Sequence, residues 1–534
     1  MDFFRRTQNN TSDTRDTSGK TSEKTSFDRS QLGSMPEDGP EASNVPTHKE
    51  AESPSSIAVS DEPTWPSGWR PYASLFGGFL LMFNSWGIVN AYGTYASYYD
   101  QHLLPGRDIL LLNLVGSTQS FVVLALSAFV GRFLDAGHSR QLIGTGTVLV
   151  SLGTFLLSVV NGQGRYNQGN YGLIWLTQGF ISGLGMACFF VSSSQGEFTR
   201  RGRCVLSMLT REAVVSTWFK KKKGFAIGVV ASGASIAGLV YPMMTKFLIT
   251  EVGFNDAVRY VGVVVAVTSV IAVLVARPNP AHPLRKPETW LRVSVYVDTH
   301  AFQNASFVWL CAAISILFFG FYAVFFNLEE WAASTGLGYR DEVPGGVDIG
   351  LPQEVPEDAI RTFYLLSIMN GASTIGRLGS SYLCDHFGAL NVHATVTLIA
   401  SLLILLLWTM VETVAGAIAF VVCFGVFSGA VIGLPPASVA YILGPVPAAQ
   451  AKLGQWTGML YSTSAVFALT GPVIAGYLIT EHGNFLTVQC WSGACLLLSA
   501  CCMAIAIFYR RRSSAREWMA DWRNKSTSSA SRMC

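Results

Sequence analysis

From Tyr72 onward the chain reads as a succession of long apolar runs separated by short polar interruptions, and each run is long enough to cross a bilayer, for which a helix needs about 20 mostly apolar residues. Twelve such runs stand near 72–92, 109–130, 141–160, 172–194, 225–248, 258–276, 307–328, 360–383, 392–411, 414–443, 454–479 and 488–509. The expected fold class is therefore an all-α membrane protein with twelve transmembrane helices. Residues 1–67 have the opposite pattern, rich in Ser, Thr, Asp, Glu and Pro, and without the apolar content that offsets the entropy of folding. They predict a disordered tail. The opening "MDFFRRTQNN" leads into this polar tract and not into an apolar core of the kind a signal peptide carries.

An even number of spans puts both ends of the chain on one side, and the distribution of basic residues decides which. Loops after even-numbered runs hold Arg132 and Arg140, "FKKKKG" at 219–224, then Arg277, Arg285, Lys286, Arg292 and Lys452, and the last run ends in "YRRRSS". Loops after odd-numbered runs are poor in Lys and Arg, and the longest of them is acidic. Both tails are expected in the cytoplasm, with the plasma membrane as the expected location and the vacuolar or another internal membrane as the alternative. Composition agrees: 534 residues, 50% hydrophobic and 13% charged, with a mean hydropathy of +0.36. The net charge of +3 says nothing of nucleic acid, which is not expected as a partner; the bilayer is. Most of the ten cysteines fall inside apolar runs without metal-ligand spacing, and the sequons at Asn9, Asn10, Asn304 and Asn524 are not expected to be glycosylated.

The chain repeats itself. "GRFLDAGHSR" (131–140) follows the second run and "GRLGSSYLCDHFG" (376–388) closes the eighth, each placing Gly-Arg ahead of an Asp and a Gly. Two six-helix halves are the expected organisation: 68–276, a cytoplasmic linker 277–305, and 306–509, with a cytoplasmic tail 510–534. The first of these motifs resembles the G-x-x-x-D-R-x-G signature of the major facilitator superfamily, with Ala136 in place of a base. Four further stretches, "FNSWGIVNAYGTYASYYDQHLL" (83–104), "STWFKKKKGFAIGVVASGASIAGLVYP" (216–242), "NGASTIGRLGSSYLCDHFGALN" (370–391) and "GPVIAGYLI" (471–479), resemble the fungal monocarboxylate-transporter-like branch of that superfamily. The resemblance implies a secondary active transporter in which two halves rock about a central site. It also implies a small organic metabolite as substrate, an organic acid or secondary metabolite, by import or efflux.

One segment departs from the resemblance. Joining "VSSSQ" to "AVVSTWFKKKKG" restores the family pattern and leaves "GEFTRRGRCVLSMLTRE" (196–212) surplus. Gly-Glu-Phe can be encoded with a donor-like GTGAGT and Met-Leu-Thr with a branch-like CTGAC, so a retained intron is one reading. An amphipathic cytoplasmic insertion whose arginines meet anionic headgroups is the other.

Candidate chemistry inside the membrane is sparse. Arg377 stands within the eighth run, where a charge is costly and functional when it faces a cavity; it is expected either to hold an anionic group of the substrate through its planar fork or to pair with Asp385 near the cytoplasmic end. The resemblance implies that the Arg of this span binds substrate, with an Asp one turn earlier that takes part in proton coupling and a Lys in the first span. Ser373 and Asn90 occupy those two positions. Proton-coupled carriage of small acids is thereby weakened, and a larger, more neutral or aromatic metabolite is favoured, with Trp86, Tyr92, Tyr95 and Trp456 as stacking surfaces; ordinary bundle packing is the competing reading for each. Arg132, Asp135 and Asp385 are expected gate or scaffold residues, and Gly471-Pro472 a point of give in the eleventh helix. No nucleophile elbow, phosphate loop or metal-ligand cluster is present, so neither an enzyme, a cofactor nor a metal is expected. A non-transporting sensor of the same fold, signalling through residues 1–67, is the second functional class.

Overall fold

The computed structural model describes residues 68–135, 138–162, 165–194, 223–276, 296–339, 360–444, 449 and 452–530. The tail 1–67, the segment 196–212 and the acidic loop 340–359 lie outside them, as does most of the linker expected at 277–305.

Among the described residues ten helices are long and apolar enough to cross a membrane: Arg70–Leu103, Ser139–Val160, Tyr171–Ser193, Ala226–Val252, Phe254–Val275, Ala305–Ser334, Ala389–Met410, Val414–Gly433, Leu453–His482 and Leu486–Ala515. The pair Ile109–Ala125 and Ser127–Leu134, bent by 44°, makes an eleventh. The helix Thr362–Phe387 is long enough but too rich in Ser, Gly and Arg to pass on composition. Its polar positions Asn370, Ser373, Arg377, Ser380 and Ser381 are buried against other helices, where lipid does not select for apolar side chains. With it the chain makes twelve passes, numbered here spans 1 to 12 in chain order. This is the architecture of a multi-pass membrane protein.

Helix ends follow local chemistry. Asn304 caps span 7 by accepting from the backbone N–H groups of Ser306 and Phe307 at 3.0 and 3.3 Å, and Thr413 caps span 10 through Gly416 N–H, satisfying donors that a helix start leaves open. Spans 5 and 6 are joined through Gly253 alone and spans 8 and 9 through Gly388, with φ of +82° and +83°; such one-residue reversals suit glycine, which has no Cβ to clash. Two elements outlast the sequence expectation. Span 7 runs to Ser334, six residues beyond the apolar run, and span 12 continues as one helix, Leu486–Ala530, into the region expected as a tail.

The first six spans meet the last six at both ends of the bundle. At the end carrying Leu103 and Ser334, called distal, Asn113 on span 2 donates to Asn327 Oδ1 on span 7 at 3.1 Å and to the Pro472 carbonyl on span 11 at 3.0 Å. Thr94 on span 1 donates there to Glu329 on span 7. At the opposite, proximal end Ser462 on span 11 donates to the Ala125 carbonyl of span 2 at 3.1 Å. Small residues make the seams close: a Cβ at Gly93 would lie 2.6 Å from the Phe325 carbonyl oxygen, and one at Gly228 2.7 Å from Ser381 Oγ.

Candidate functional site

Span 1 is interrupted between Phe83 and Trp86, and the interruption is held by polar side chains. Asn84 donates to Thr268 Oγ1 at 2.8 Å and Ser269 Oγ at 2.9 Å, and accepts from Tyr241 at 2.8 Å; Ser85 donates to the Met186 carbonyl at 3.2 Å. This fixes Trp86, the first residue beyond the break, on the axis between the two groups of six spans. Its ring lies parallel to Tyr322 of span 7, 5.6 Å away at 6°, and edge-on to Phe190 of span 4 at 5.3 Å. Phe190 in turn meets Tyr461 of span 11 at 5.0 Å.

A cavity of about 470 Å³ opens against this aromatic group, lined by Trp86, Phe190, Phe318, Val230 and Tyr461, with Arg377 as its charged wall. The Arg377 side chain is 4% exposed. Its Nε–H donates to Ser373 Oγ at 3.4 Å, and Ser373 is joined across the seam to Ser235 of span 5, Oγ to Oγ, at 2.6 Å. Tyr322 and Tyr461 are its electrostatic neighbours. Among the described residues no carboxylate pairs with it, and Asp385, two turns further on, is exposed at the helix end. Three buried polar atoms here have no hydrogen-bond partner among the described residues: Arg377 Nη1, Trp86 Nε1 and the Tyr322 hydroxyl. Two donors and a phenol around one cavity suit a ligand group with several acceptor oxygens.

The other expected residues are distributed differently. Asn90 is buried on span 1 but is not among the residues lining the cavity. Tyr92 is fully buried, donates to the Leu112 carbonyl and packs under Phe326. Trp456 lies near the proximal end, where its Nε1–H donates to Asp298 Oδ2 at 3.2 Å beside Lys452 Nζ at 2.8 Å. Burial works to raise the Asp298 carboxyl, but the Lys452 and Trp456 donors, the Lys452 charge and the His300 N–H outweigh it and hold the group below the usual carboxylate range. Arg132 is buried near the end of span 2. Asp135 closes helix Ser127–Asp135, and its side chain lies outside the described residues. Gly471 meets the Phe319 carbonyl oxygen at 2.1 Å from where a Cβ would be, and Pro472 sits inside the continuous helix Leu453–His482.

Sequence reasoning passed over Tyr322, Phe318, Phe190, Tyr461 and Ser235. Their only signal was the aromatic density of span 7, "FFGFYAVFF" (318–326), which by itself also describes a lipid-facing helix. It also passed over Lys246 and Glu329, which are buried within helical spans; Glu329 follows the apolar run directly and was read as the first residue of a loop.

A sequence model of the Major Facilitator Superfamily matches residues 205–451. Curated relatives match over most of the chain. The MFS-type transporter dbaD of Emericella nidulans is 27% identical over 82% of this chain and 86% of its own length. The chain belongs to the major facilitator superfamily. Among its other relatives the aspyridones efflux protein apdF of the same organism is 28% identical, covering 82% of this chain and 78% of the relative. The agnestins efflux protein AgnL12 of Paecilomyces divaricatus is 25% identical over 86% of this chain and 94% of the relative. Among solved structures the E. coli fucose:proton symporter FucP superposes with a TM-score of 0.52 at 14% identity, over 82% of this chain and 98% of that one; this likeness concerns the fold. The superfamily member described here is a secondary transporter of a small organic molecule and not an enzyme.

Proposed function

We propose that this transporter exports an anionic aromatic secondary metabolite, and that Arg377 binds the anionic group while Trp86 and Tyr322 hold the aromatic body. The observation that carries the reading is Arg377 itself: a guanidinium buried between the two groups of six spans, with no carboxylate partner among the described residues and an aromatic cavity in front of it. A buried cation is stable only when paired and hydrogen-bonded, and here a substrate anion supplies the pair. Ser373 supports the guanidinium from behind. The printed names of two relatives, each an efflux protein for a named metabolite, support export. The resemblance to the monocarboxylate-transporter-like branch supports an acidic group on the cargo.

The two moving bodies in this reading are residues 68–276 and 306–509, joined by the linker 277–305. Arg132, Asp135 and Asp385 are gate residues of the proximal end, and Gly471-Pro472 is a flexible point. The proximal end faces the cytoplasm with both termini, supported by Arg140, Lys452 and Arg510 to Arg512 at that end, and the plasma membrane is the site of action. Proton coupling, if present, is made away from the cavity, since the residues lining it include no carboxylate or histidine and Ser373 cannot ionise.

The test is flux measured beside the amount of protein in the membrane. Arg377→Ala is expected to lose nearly all transport, and Arg377→Lys most of it, because an ammonium does not reproduce the planar fork. A well-expressed Arg377→Ala protein with normal flux removes this residue from the site.

A further inference from the structure

We infer that the protein works as an anion exchanger: the loaded carrier crosses between its two states readily, and the unloaded carrier is held back by the bare charge of Arg377. The inference rests on the proposed reading of the cavity and adds a mode of transport to it.

The geometry is that of a carrier closed at both ends. Distally Gly93 abuts the Phe325 carbonyl and Asn113 bridges to Asn327 and Pro472; proximally Gly228 abuts Ser381 and the Arg377 carbonyl, and Ser462 bridges to span 2. Any passage from one open state to the other goes through such a closure, and closure wraps Arg377 in Trp86, Phe190, Phe318, Tyr322 and Tyr461. In either open state water solvates the guanidinium. In the closed state the protein gives it one neutral acceptor, Ser373 Oγ at 3.4 Å, and that hydroxyl is shared with Ser235 from the other side of the seam at 2.6 Å. Guanidinium does not lose its proton at cellular pH, so the charge stays when the water leaves. Closing without an anion therefore strips a cation of its solvent and returns little; closing with an anion forms a charge-assisted pair in a dry site. The penalty falls on the unloaded return step alone, so an anion on the far side speeds the cycle by travelling back. The Ser235–Ser373 contact makes this dependence tight, because the hydroxyl that backs Arg377 is itself part of the closing seam.

Two measurements on the purified full chain in lipid vesicles test this, with radiolabelled salicylate as the aromatic-anion probe. Release of salicylate into buffer containing unlabelled salicylate is expected at least tenfold faster than release into buffer without it, equivalent to 1.4 kcal/mol on the return step, and Arg377→Gln is expected to bring the two rates near parity. Equal rates in the parent overturn the exchange mode. Salicylate carriage by Arg377→Gln with the parent's half-saturation, by contrast, overturns the reading of the site. Closure is read separately from an Ala128→Cys/Ser462→Cys pair, whose parent residues touch across the proximal seam, Ala128 N to Ser462 Oγ at 3.4 Å. Without any organic anion the pair is expected to cross-link at least tenfold faster in the Arg377→Gln background than in the parent background; equal rates there contradict a charge penalty on closure.

Discussion

Gly93→Ala separates motion between the two groups of six spans from folding within one. The added Cβ would stand 2.6 Å from the Phe325 carbonyl oxygen, about 0.8 Å inside an ordinary contact of 3.4 Å. The obstruction is backbone on span 7, which cannot rotate away as a side chain can. Relief comes most cheaply by parting spans 1 and 7 at the distal end, because that seam already opens in the cycle. Overpacking of this kind costs about 1–3 kcal/mol, and since the cost falls only on distally closed states it lowers their population roughly five- to hundredfold at 1.4 kcal/mol per decade. Ser97 lines a distal cavity of about 300 Å³ with Gly93, Asn113 and Asn327, so a Ser97→Cys reporter labelled with an impermeant maleimide from outside reads the shift. Labelling is expected to rise severalfold or more in Gly93→Ala while the amount of folded protein holds. The control is Gly471→Ala, whose Cβ would lie 2.1 Å from the Phe319 carbonyl oxygen. Spans 7 and 11 both belong to the last six, so no step of the cycle relieves that clash, and the expected result is loss of folded protein without a gain in labelling. Unchanged labelling in a well-folded Gly93→Ala protein refutes the assignment of this contact to a moving seam.

Three further outcomes follow from the same geometry. Asp298→Asn removes the acceptor shared by Lys452 and Trp456; as Lys452 is half exposed the loss is expected at about 0–1 kcal/mol, read as a small drop in melting temperature at pH 7. Because the Asp298 pKa is lowered from its ordinary 3.8, the stabilisation is present above that value and is lost as pH falls through the lower folded value; the difference between parent and Asp298→Asn should hold from pH 7 to pH 5, and its disappearance by pH 5 contradicts the pairing. Trp86→Leu removes the ring stacked on Tyr322 and is expected to raise the half-saturation for an aromatic anion about three- to tenfold, at the 0.5–1.5 kcal/mol of an aromatic pair, with little change for an aliphatic one. For orientation, Gly345→Cys is expected to label from outside intact cells and Lys222→Cys only after permeabilisation.

The number of passes was legible because lipid imposes it: eleven of the twelve stretches had to be apolar over a bilayer's width, and span 8 was recovered despite its Ser and Gly content because Arg377 did not outweigh the rest of the run. Helix ends were less so. Span 7 carries Glu329 on a buried face against Thr94, and a hydropathy pattern that expects charge to mark the boundary stops one residue short of it. Span 12 continues to Ala530, where the sequence is polar and helix continuation is carried by local propensity. At the site, the chemistry of a lone intramembrane Arg pointed to Arg377 directly, and its buried position without an ion pair among the described residues follows the first of the two expected geometries rather than pairing with Asp385. The stacking partners were not legible in the same way. Trp86 reaches the cavity because Asn84 and Ser85 break the helix before it, whereas Tyr92, one and a half turns further along, is turned into packing against span 2 and Trp456 is engaged by Asp298. Those outcomes depend on tertiary hydrogen bonds between spans, which periodicity within one span does not encode.

The central claim is that an acidic aromatic metabolite leaves the cell through the cavity at Arg377, and a comparison of metabolites inside and outside parent and deletion cells, repeated with Arg377→Ala restored at parental membrane level, tests it most directly. The account predicts that at least one acidic aromatic compound accumulates inside deletion cells and falls outside them, that the parent gene restores its export, and that Arg377→Ala does not. Restored export by Arg377→Ala, or retention confined to neutral or cationic compounds, would contradict it.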